Sequence, residues 1–249
     1  MIILYSYIFV VGTVLGSFYN VVGMRVPIGQ PIVHSRSACP SCSHTLSAKE
    51  LIPILSYILQ GGKCRSCSRR ISPIYPIFEL ITGVLFVLSF VLIGWQAEVL
   101  VAWTFVSLFV IIAVSDISYM LIPNKVLLFF APLFIVERFV VPLQPWWDSV
   151  IGAGVGFGLL RLIVFISKGG MGGGDVKLFA LIGFVLGFKL VLVTFLLSSL
   201  FGTIFGLLGM ITGHVKRGEP MPFGPFIMMG SLTAYFFGES LLQYYFSFL

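Results

Sequence analysis

Charge is what this sequence has least of. Only 10% of its 249 residues are Asp, Glu, Lys or Arg, against roughly 25% in soluble domains. So little charge excludes a water-soluble globule. Acids are the scarcer sign, nine in all, so each carboxylate beside an apolar stretch stands out. Histidine is nearly absent: His34, His44 and His214 share no metal-ligand spacing and read as solvated. No GxGxxG nucleotide-binding fingerprint occurs, and no low-complexity tract or convincing internal repeat is seen. Cysteine occurs four times, all within residues 39–67. The first apolar run has no positive segment ahead of it, and its first basic residue, Arg25, follows it. It therefore reads as a membrane-spanning helix with its N-terminus outside rather than as a cleaved leader.

What remains is apolar. Mean hydropathy is +1.07, and runs of about 20 apolar residues, the length that crosses a bilayer, recur along the chain. They are apolar all round, which excludes the alternating strands of a membrane barrel. Spans are expected at residues 2–23, 73–94, 98–115, 126–141, 149–167 and 226–246. The stretch 176–213 is too long for one span at about 1.5 Å per residue and is split at 187–189. The expected fold is an all-α polytopic membrane protein of about eight transmembrane helices. Residues 1–23 form the first span, 24–72 a cysteine-rich cytosolic insertion, and 73–249 a seven-helix membrane domain.

With eight spans, the segments 24–72, 116–125, 168–177 and 213–220 share one side. They hold Arg25, Arg36, Lys49, Lys63, Arg65, Arg69, Arg70, Lys125, Lys168, Lys177, Lys216 and Arg217, most of the fifteen basic residues. The positive-inside rule puts that side in the cytosol. The net charge of +6 is thus a topology signal, and direct nucleic acid binding is not expected.

The cysteines form two pairs, Cys39-Pro-Ser-Cys42 and Cys64-Arg-Ser-Cys67. Each CxxC turn aims two thiolates at one point, and two such turns complete a tetrahedron, so a structural zinc is expected. Residues 24–72 have few apolar residues for a core, which makes a metal staple useful. The competing readings are two disulfides, which need an oxidising compartment, or four free thiols.

Two acids fall at span ends on the cytosolic side. Asp116 closes the span 98–115, and Asp175 follows Gly169-Gly170-Met171-Gly172-Gly173-Gly174 and opens the next run. Ionisable groups at membrane depth are costly and mark function. A close carboxyl pair shares one proton, so one member can activate water while the other hydrogen-bonds a scissile carbonyl. Gly172, Gly173 and Gly174 would let a substrate backbone approach. The alternatives are an Asp175 helix cap and a solvated Asp116 at the interface. A phosphate cradle is disfavoured, because the loop lacks a Gly-Lys-Ser/Thr ending.

At these residues the chain resembles the bacterial prepilin peptidases (type IV leader peptidases), in particular their short competence-type members. The resemblance runs over nearly the whole chain. It rests on Gly16-Ser17-Phe18-Tyr19-Asn20, the two CxxC pairs, Leu51-Ile52-Pro53-Ile54-Leu55-Ser56-Tyr57, and Pro73-Ile74-Tyr75-Pro76 with Glu79. It continues through Asp116 with Leu121-Ile122-Pro123, Gly172-Gly173-Gly174-Asp175-Val176-Lys177, and Pro222-Phe223-Gly224-Pro225. It implies an aspartic peptidase of the GxGD type whose catalytic pair matches Asp116 and Asp175. The implied reaction removes the basic leader of type IV pilin-like precursors at the cytosolic face of the bacterial cell membrane, for a DNA-uptake pseudopilus. Family members often N-methylate the new N-terminus with S-adenosylmethionine, an activity associated with the cysteine-bearing segment.

Glu79 matches a family position and is a candidate accessory residue, unless it is a structural partner for Lys or Arg. Lys177 is a second candidate, with lipid or solvent contact as its alternative. Glu137, Arg138 and Arg161 are expected to be structural or interfacial. Two rival functions remain: a proton- or metal-coupled transporter using the two acids as a relay, and a silent scaffold carrying a zinc module.

Overall fold

The computed structural model describes residues 1–33, 36–167, 172–213, 215–216 and 221–247. His34, His214, Lys168 and Arg217 lie outside the described residues, as do Gly169, Gly170 and Met171 of the glycine run.

The chain is helical, with two isolated β-bridges among the described residues. The long helices are α1 (Ile2–Arg25), α3 (Ile74–Ile93), α4 (Glu98–Tyr119), α5 (Asn124–Val140), α6 (Asp148–Ile166), α7 (Gly173–Ile211) and α8 (Gly224–Phe246). Five of them, α1, α3, α4, α6 and α7, are long and apolar enough to cross a membrane. Among the described residues the eight expected runs appear as these seven helices, because α7 holds the sixth and seventh. It is broken where the split was expected: Gly187 has φ 82°, ψ 178° inside the helix, a conformation open to glycine alone.

α4 is the centre of the bundle. Its whole middle, from Phe105 to Asp116, is buried, and it packs on α1, α3, α5 and α8. A ring cluster of Phe105, Phe109, Phe134 and Tyr235 ties α4 to α5 and α8. Elsewhere helices meet backbone to backbone. A Cβ on Gly12 would lie 2.8 Å from Gly83 Cα, joining α1 to α3. Cβ atoms on Gly152 and Gly156 would collide with the carbonyls of Gly183 and Phe179, joining α6 to α7. Such contacts substitute for the hydrophobic drive that lipid does not supply.

Between α1 and α3 the insertion folds as a 3-10 turn, Ala48–Leu51, and a short helix α2, Leu55–Leu59. Each CxxC pair belongs to the same small loop. The Cys39 N–H bonds the His44 carbonyl (2.9 Å), and the Ser43 N–H bonds the Cys39 carbonyl (2.9 Å). In the second loop the Cys64 N–H bonds the Arg69 carbonyl (2.8 Å), and the Ser68 N–H bonds the Cys64 carbonyl (2.9 Å). Ser43 and Ser68 both turn left-handed, with φ 56° and 57°. Bridges Ala38–Thr45 and Lys63–Arg70 close the two loops. The shared Cys-x-Ser-Cys-Ser pattern, residues 39–43 and 64–68, marks both loops in the sequence.

Candidate active site

Asp116 sits inside the last turn of α4, not beyond it. The helix runs to Tyr119 and is stopped by Met120 in the left-handed conformation, φ 52°. The carboxylate is 6% exposed. Its Oδ2 accepts the N–H of Gly224, at 2.6 Å, and the Phe223 N–H bonds it too. These amides open α8, and the first N–H groups of a helix have no partner within it. The helix start thus supplies donors, with a dipole that favours an acid there. A Cβ on Gly224 would lie 2.9 Å from Asp116 Oδ2 and 3.0 Å from its Cβ, so a side chain at 224 would push the carboxylate away.

Asp175 lies in the first turn of α7. The cap position is Gly172, with no side-chain cap bond, so Asp175 is not the helix cap considered above. Its N–H bonds the Gly172 carbonyl at 3.2 Å, and its Oδ2 folds back over Gly172. The Asp116 charge acts on Asp175 directly. Two acids 59 residues apart in sequence are therefore neighbours at one end of the bundle.

The three glycines differ. Nothing lies within 4 Å of where a Gly173 side chain would begin, and a Gly172 side chain would meet only the Asp175 carboxylate. A Cβ on Gly174 would instead lie 2.8 Å from Ile122 Cβ. Packing against the turn after α4 accounts for glycine there, and that contact seats the start of α7 beside the end of α4. Lys177 Nζ donates to Asn124 Oδ1 at 2.9 Å, linking α7 to the start of α5.

Glu79 is 8% exposed and pairs with neither Lys nor Arg among the described residues. Its Oε2 accepts the N–H of Ile54 at 2.8 Å, and Ser17 of α1 is a further hydrogen-bond partner. Ile54 has φ 62°, an unfavourable conformation for a β-branched residue. Glu79 therefore pins the insertion onto α1 and α3. A cavity of about 820 Å³ opens beside this point along α1, lined by Phe9, Val14, Ser17, Phe18, Ile52 and Leu55.

The four cysteine sulfurs lie within 4.8 Å of one another. The Cys39–Cys67 and Cys42–Cys64 sulfur distances are 3.8 and 3.9 Å, too long for disulfide bonds of about 2.05 Å. A regular tetrahedron with metal–sulfur bonds of about 2.3 Å has edges of about 3.8 Å. The donor set thus fits a closed tetrahedral metal. Amides of Ser41 and Cys42 aimed at its sulfur hold the Cys39 thiol down to about 6. Against the pull of the Arg69 amide, desolvation and hydrogen bonds with the other three cysteines push Cys67 up to about 11, so the four sulfurs titrate as one group. A second cavity, about 620 Å³, is lined by Tyr57, Gly61, Gly62, Lys63, Arg70 and Ser72.

Glu50 closes a capping box on Ser47, accepting its N–H at 2.9 Å and its hydroxyl at 2.7 Å. Those bonds hold its carboxyl below the usual range. His44 is partly exposed, with Nε2 3.4 Å from Glu50 Oε2.

Gly224 and Phe223 are the residues that the sequence reading passed over as site residues. Their signal was present in Pro222-Phe223-Gly224-Pro225, a glycine at the head of a helix. Nothing local said which acid it would receive.

Comparison with known proteins covers most of the chain. Residues 103–207 match the Type IV leader peptidase family, and residues 10–93 match the Bacterial Peptidase A24 N-terminal domain. A protein of Bacillus subtilis (strain 168) named Prepilin leader peptidase/N-methyltransferase is 45% identical over 240 residues, 96% of this chain and 97% of that protein. One of the same name from Aeromonas salmonicida (strain A449) is 34% identical over 280 residues, 98% of this chain and 94% of that protein. A third, from Pseudomonas aeruginosa, is 31% identical over 271 residues, with 95% and 91% covered. No solved structure matches.

Proposed function

This chain belongs to the type IV leader peptidase family, and on that premise we propose that Asp116 and Asp175 are its catalytic pair. The chain is a multi-pass membrane enzyme of the leader peptidase/N-methyltransferase class. Its substrates are precursors of type IV pilin-like proteins, as the names of its relatives indicate for them. The observation that carries the assignment is the meeting of the two acids from different helices at one end of the bundle, where Gly174 packs on Ile122 just past α4 and the Asp116 charge bears on Asp175.

One carboxyl is ionised and the other protonated, as a close pair requires. The ionised member takes a proton from water, whose oxygen attacks the scissile carbonyl carbon. The protonated member gives its proton to the carbonyl oxygen. As the tetrahedral intermediate collapses, the C–N bond breaks and the leaving amine takes up a proton from the pair. Gly173, with open space where a side chain would stand, and Gly172, whose side chain would meet only the Asp175 carboxylate, admit the extended substrate backbone. Lys177 holds α7 to α5 beside the site. The positive-inside rule places this end of the bundle at the cytosolic face, where a basic leader would also reside.

Residues 24–72 form a separate module. Cys39, Cys42, Cys64 and Cys67 would hold a structural zinc, whose role is to fold a segment with little core. N-methylation of the new N-terminus belongs to this amino-terminal part. S-adenosylmethionine, when bound, supplies the methyl group. The cavity beside Lys63 and Arg70 has the size for it; those cations would face its carboxylate, and the lining offers no acid for its ammonium or sulfonium. The resemblance to competence-type members supports a role in pseudopilus assembly for DNA uptake.

The test is the purified protein in detergent or vesicles with a pilin-like precursor. Wild type is expected to release the leader, and Asp116→Asn or Asp175→Asn to abolish release. A transporter or scaffold predicts no release by the wild type.

A further inference from the structure

The break in α7 lies far from the proposed chemistry, yet it is built from specific partners. At Gly187 the helix divides into two rods, residues 173–186 and 188–211. A break inside a membrane helix strips hydrogen bonds from backbone groups on both sides, and each must find a new partner. Both do. Asp148, the first residue of α6, accepts the Phe188 N–H at Oδ1, 3.1 Å. Arg138 of α5 donates from Nε to the Val185 carbonyl, 3.0 Å.

Arg138 is itself gripped. It is 6% exposed, and its guanidinium meets Glu98 in a two-pronged pair: Nη1 to Oε2 at 2.8 Å and Nη2 to Oε1 at 3.0 Å. Nη1 also reaches the Val141 carbonyl at 3.2 Å. The Tyr235 hydroxyl of α8 donates to Glu98 Oε1 at 2.6 Å. Space at the break is filled as well, since a Cβ on Gly187 would land on the Asp148 carboxylate.

These partners connect the two helices that carry the acids. Glu98 begins α4, and Asp116 lies 18 residues on, roughly 27 Å along the helix. Val185 is ten residues beyond Asp175 in the first rod, roughly 15 Å. That rod is gripped along its side by α6, where Gly152 and Gly183 meet backbone to backbone. A rod so held can err chiefly by sliding or turning about its own axis. The Arg138–Glu98 clamp holds the first rod at Val185, and the Asp148 cap holds the chain just past that rod's end, at Gly187 and Phe188, so together they oppose both motions.

We propose that Asp148, together with the Arg138–Glu98 pair, positions the first rod of α7 and so sets where Asp175 stands relative to Asp116. The break permits this: it ends the Asp175 rod beside Asp148 and Arg138, while the second rod packs back alongside it through Phe179 and Phe195, and the latch then fixes the height of the first rod. Asp148 acts through Asp175 and does not touch substrate. The inference rests on Asp116 and Asp175 being the reacting pair, a premise tested separately by their Asn variants.

The experiment compares Asp148→Ala and Asp148→Asn in the full-length membrane protein. Asn keeps an amide-accepting oxygen and drops the charge. Asp148→Ala is expected to lower kcat for leader removal by about 10- to 100-fold, the scale of a misplacement near 1 Å, with KM little changed. Asp148→Asn is expected to stay within about threefold of wild type. A wild-type kcat in the Ala variant would overturn the proposal, as would an Asn variant as slow as Ala. Spin labels at exposed Tyr119 and Lys177 give a reading independent of activity and of how much protein folds. The label distance distribution is expected to shift or broaden in Asp148→Ala and to return in Asp148→Asn. An unchanged distribution in the folded Ala variant would also overturn the proposal.

Discussion

The amino-terminal insertion and the helical bundle solve the same problem with opposite means. The insertion has few apolar residues to bury, exposes Leu51, Ile52, Leu55, Ile58 and Leu59, and gathers its chain around four sulfurs. The bundle has apolar side chains in excess and gains its specificity from polar and glycine contacts: Asp116 on Gly224, Arg138 on Glu98, Gly152 on Gly183. The difference teaches where each region is vulnerable. The insertion should fail when its staple is removed. The bundle should keep its fold through most single changes yet lose function when one polar contact is displaced. The first family match, residues 10–93, holds the cysteines together with α3 and most of α1, and the second, residues 103–207, holds both acids.

The largest effect expected is on the proposed catalytic pair. Asp116→Asn and Asp175→Asn should each slow leader removal by at least about 10³-fold, the upper range for general acid–base groups. The metal content of the insertion should not change. Metal analysis beside a cleavage assay checks the division, and loss of metal in either variant would break it. Next is the staple. Cys39→Ser should abolish binding of about one zinc per chain and open residues 36–72 to proteolysis. Methylation of the product, read by mass spectrometry, should vanish, while leader removal falls less than about tenfold. Loss of both activities together would mean that the bundle depends on the insertion, for which Glu79 and its bond to Ile54 would be the route.

Gly224→Ala should come third. Its Cβ would crowd the Asp116 carboxylate at 2.9 Å, and leader removal should drop by roughly 10- to 100-fold with zinc and methylation intact. A rate equal to wild type would show that the α8 helix start is not what places Asp116. The smallest effect concerns acid. Glu50 has a folded-state pKa held below its ordinary value by Ser47. Its contribution to the insertion is therefore full above the usual carboxylate pKa and is lost as pH falls through the lower folded value. Glu50→Gln should reduce protection of the insertion near neutral pH and make no difference in strong acid. Hydrogen exchange of residues 36–72 across that range reads the sign, and a deficit that grows toward acid would contradict it.

Much of this was legible in the chain because the signals are local. Apolar runs mark spans by length alone, and the end points moved by only a few residues. α4 runs to Tyr119 instead of 115, and α7 starts at Gly173 instead of 176. The split near Gly187 followed from the length of an unbroken run, since no helix of 39 residues fits one crossing. The CxxC pairs announce a metal-type site because each turn is complete within four residues. The role of Glu79 was less legible. A charged partner was the natural guess for a buried acid, and the partner is instead the backbone of Ile54, 25 residues away.

By itself, then, the sequence determined a helical membrane protein, the two acids worth watching, and a four-cysteine cluster, all properties of composition or of spacing within a few residues. Tertiary structure alone decided that Asp116 is received by Gly224, 108 residues later in the chain. It alone decided that Arg138 and Asp148 close the two sides of one break. The physical reason is common to these cases. In an apolar bundle, a stripped backbone N–H or carbonyl takes whatever polar group the packing of other helices brings within 3 Å or so. Which group that is depends on crossings between distant segments, and no local pattern encodes it.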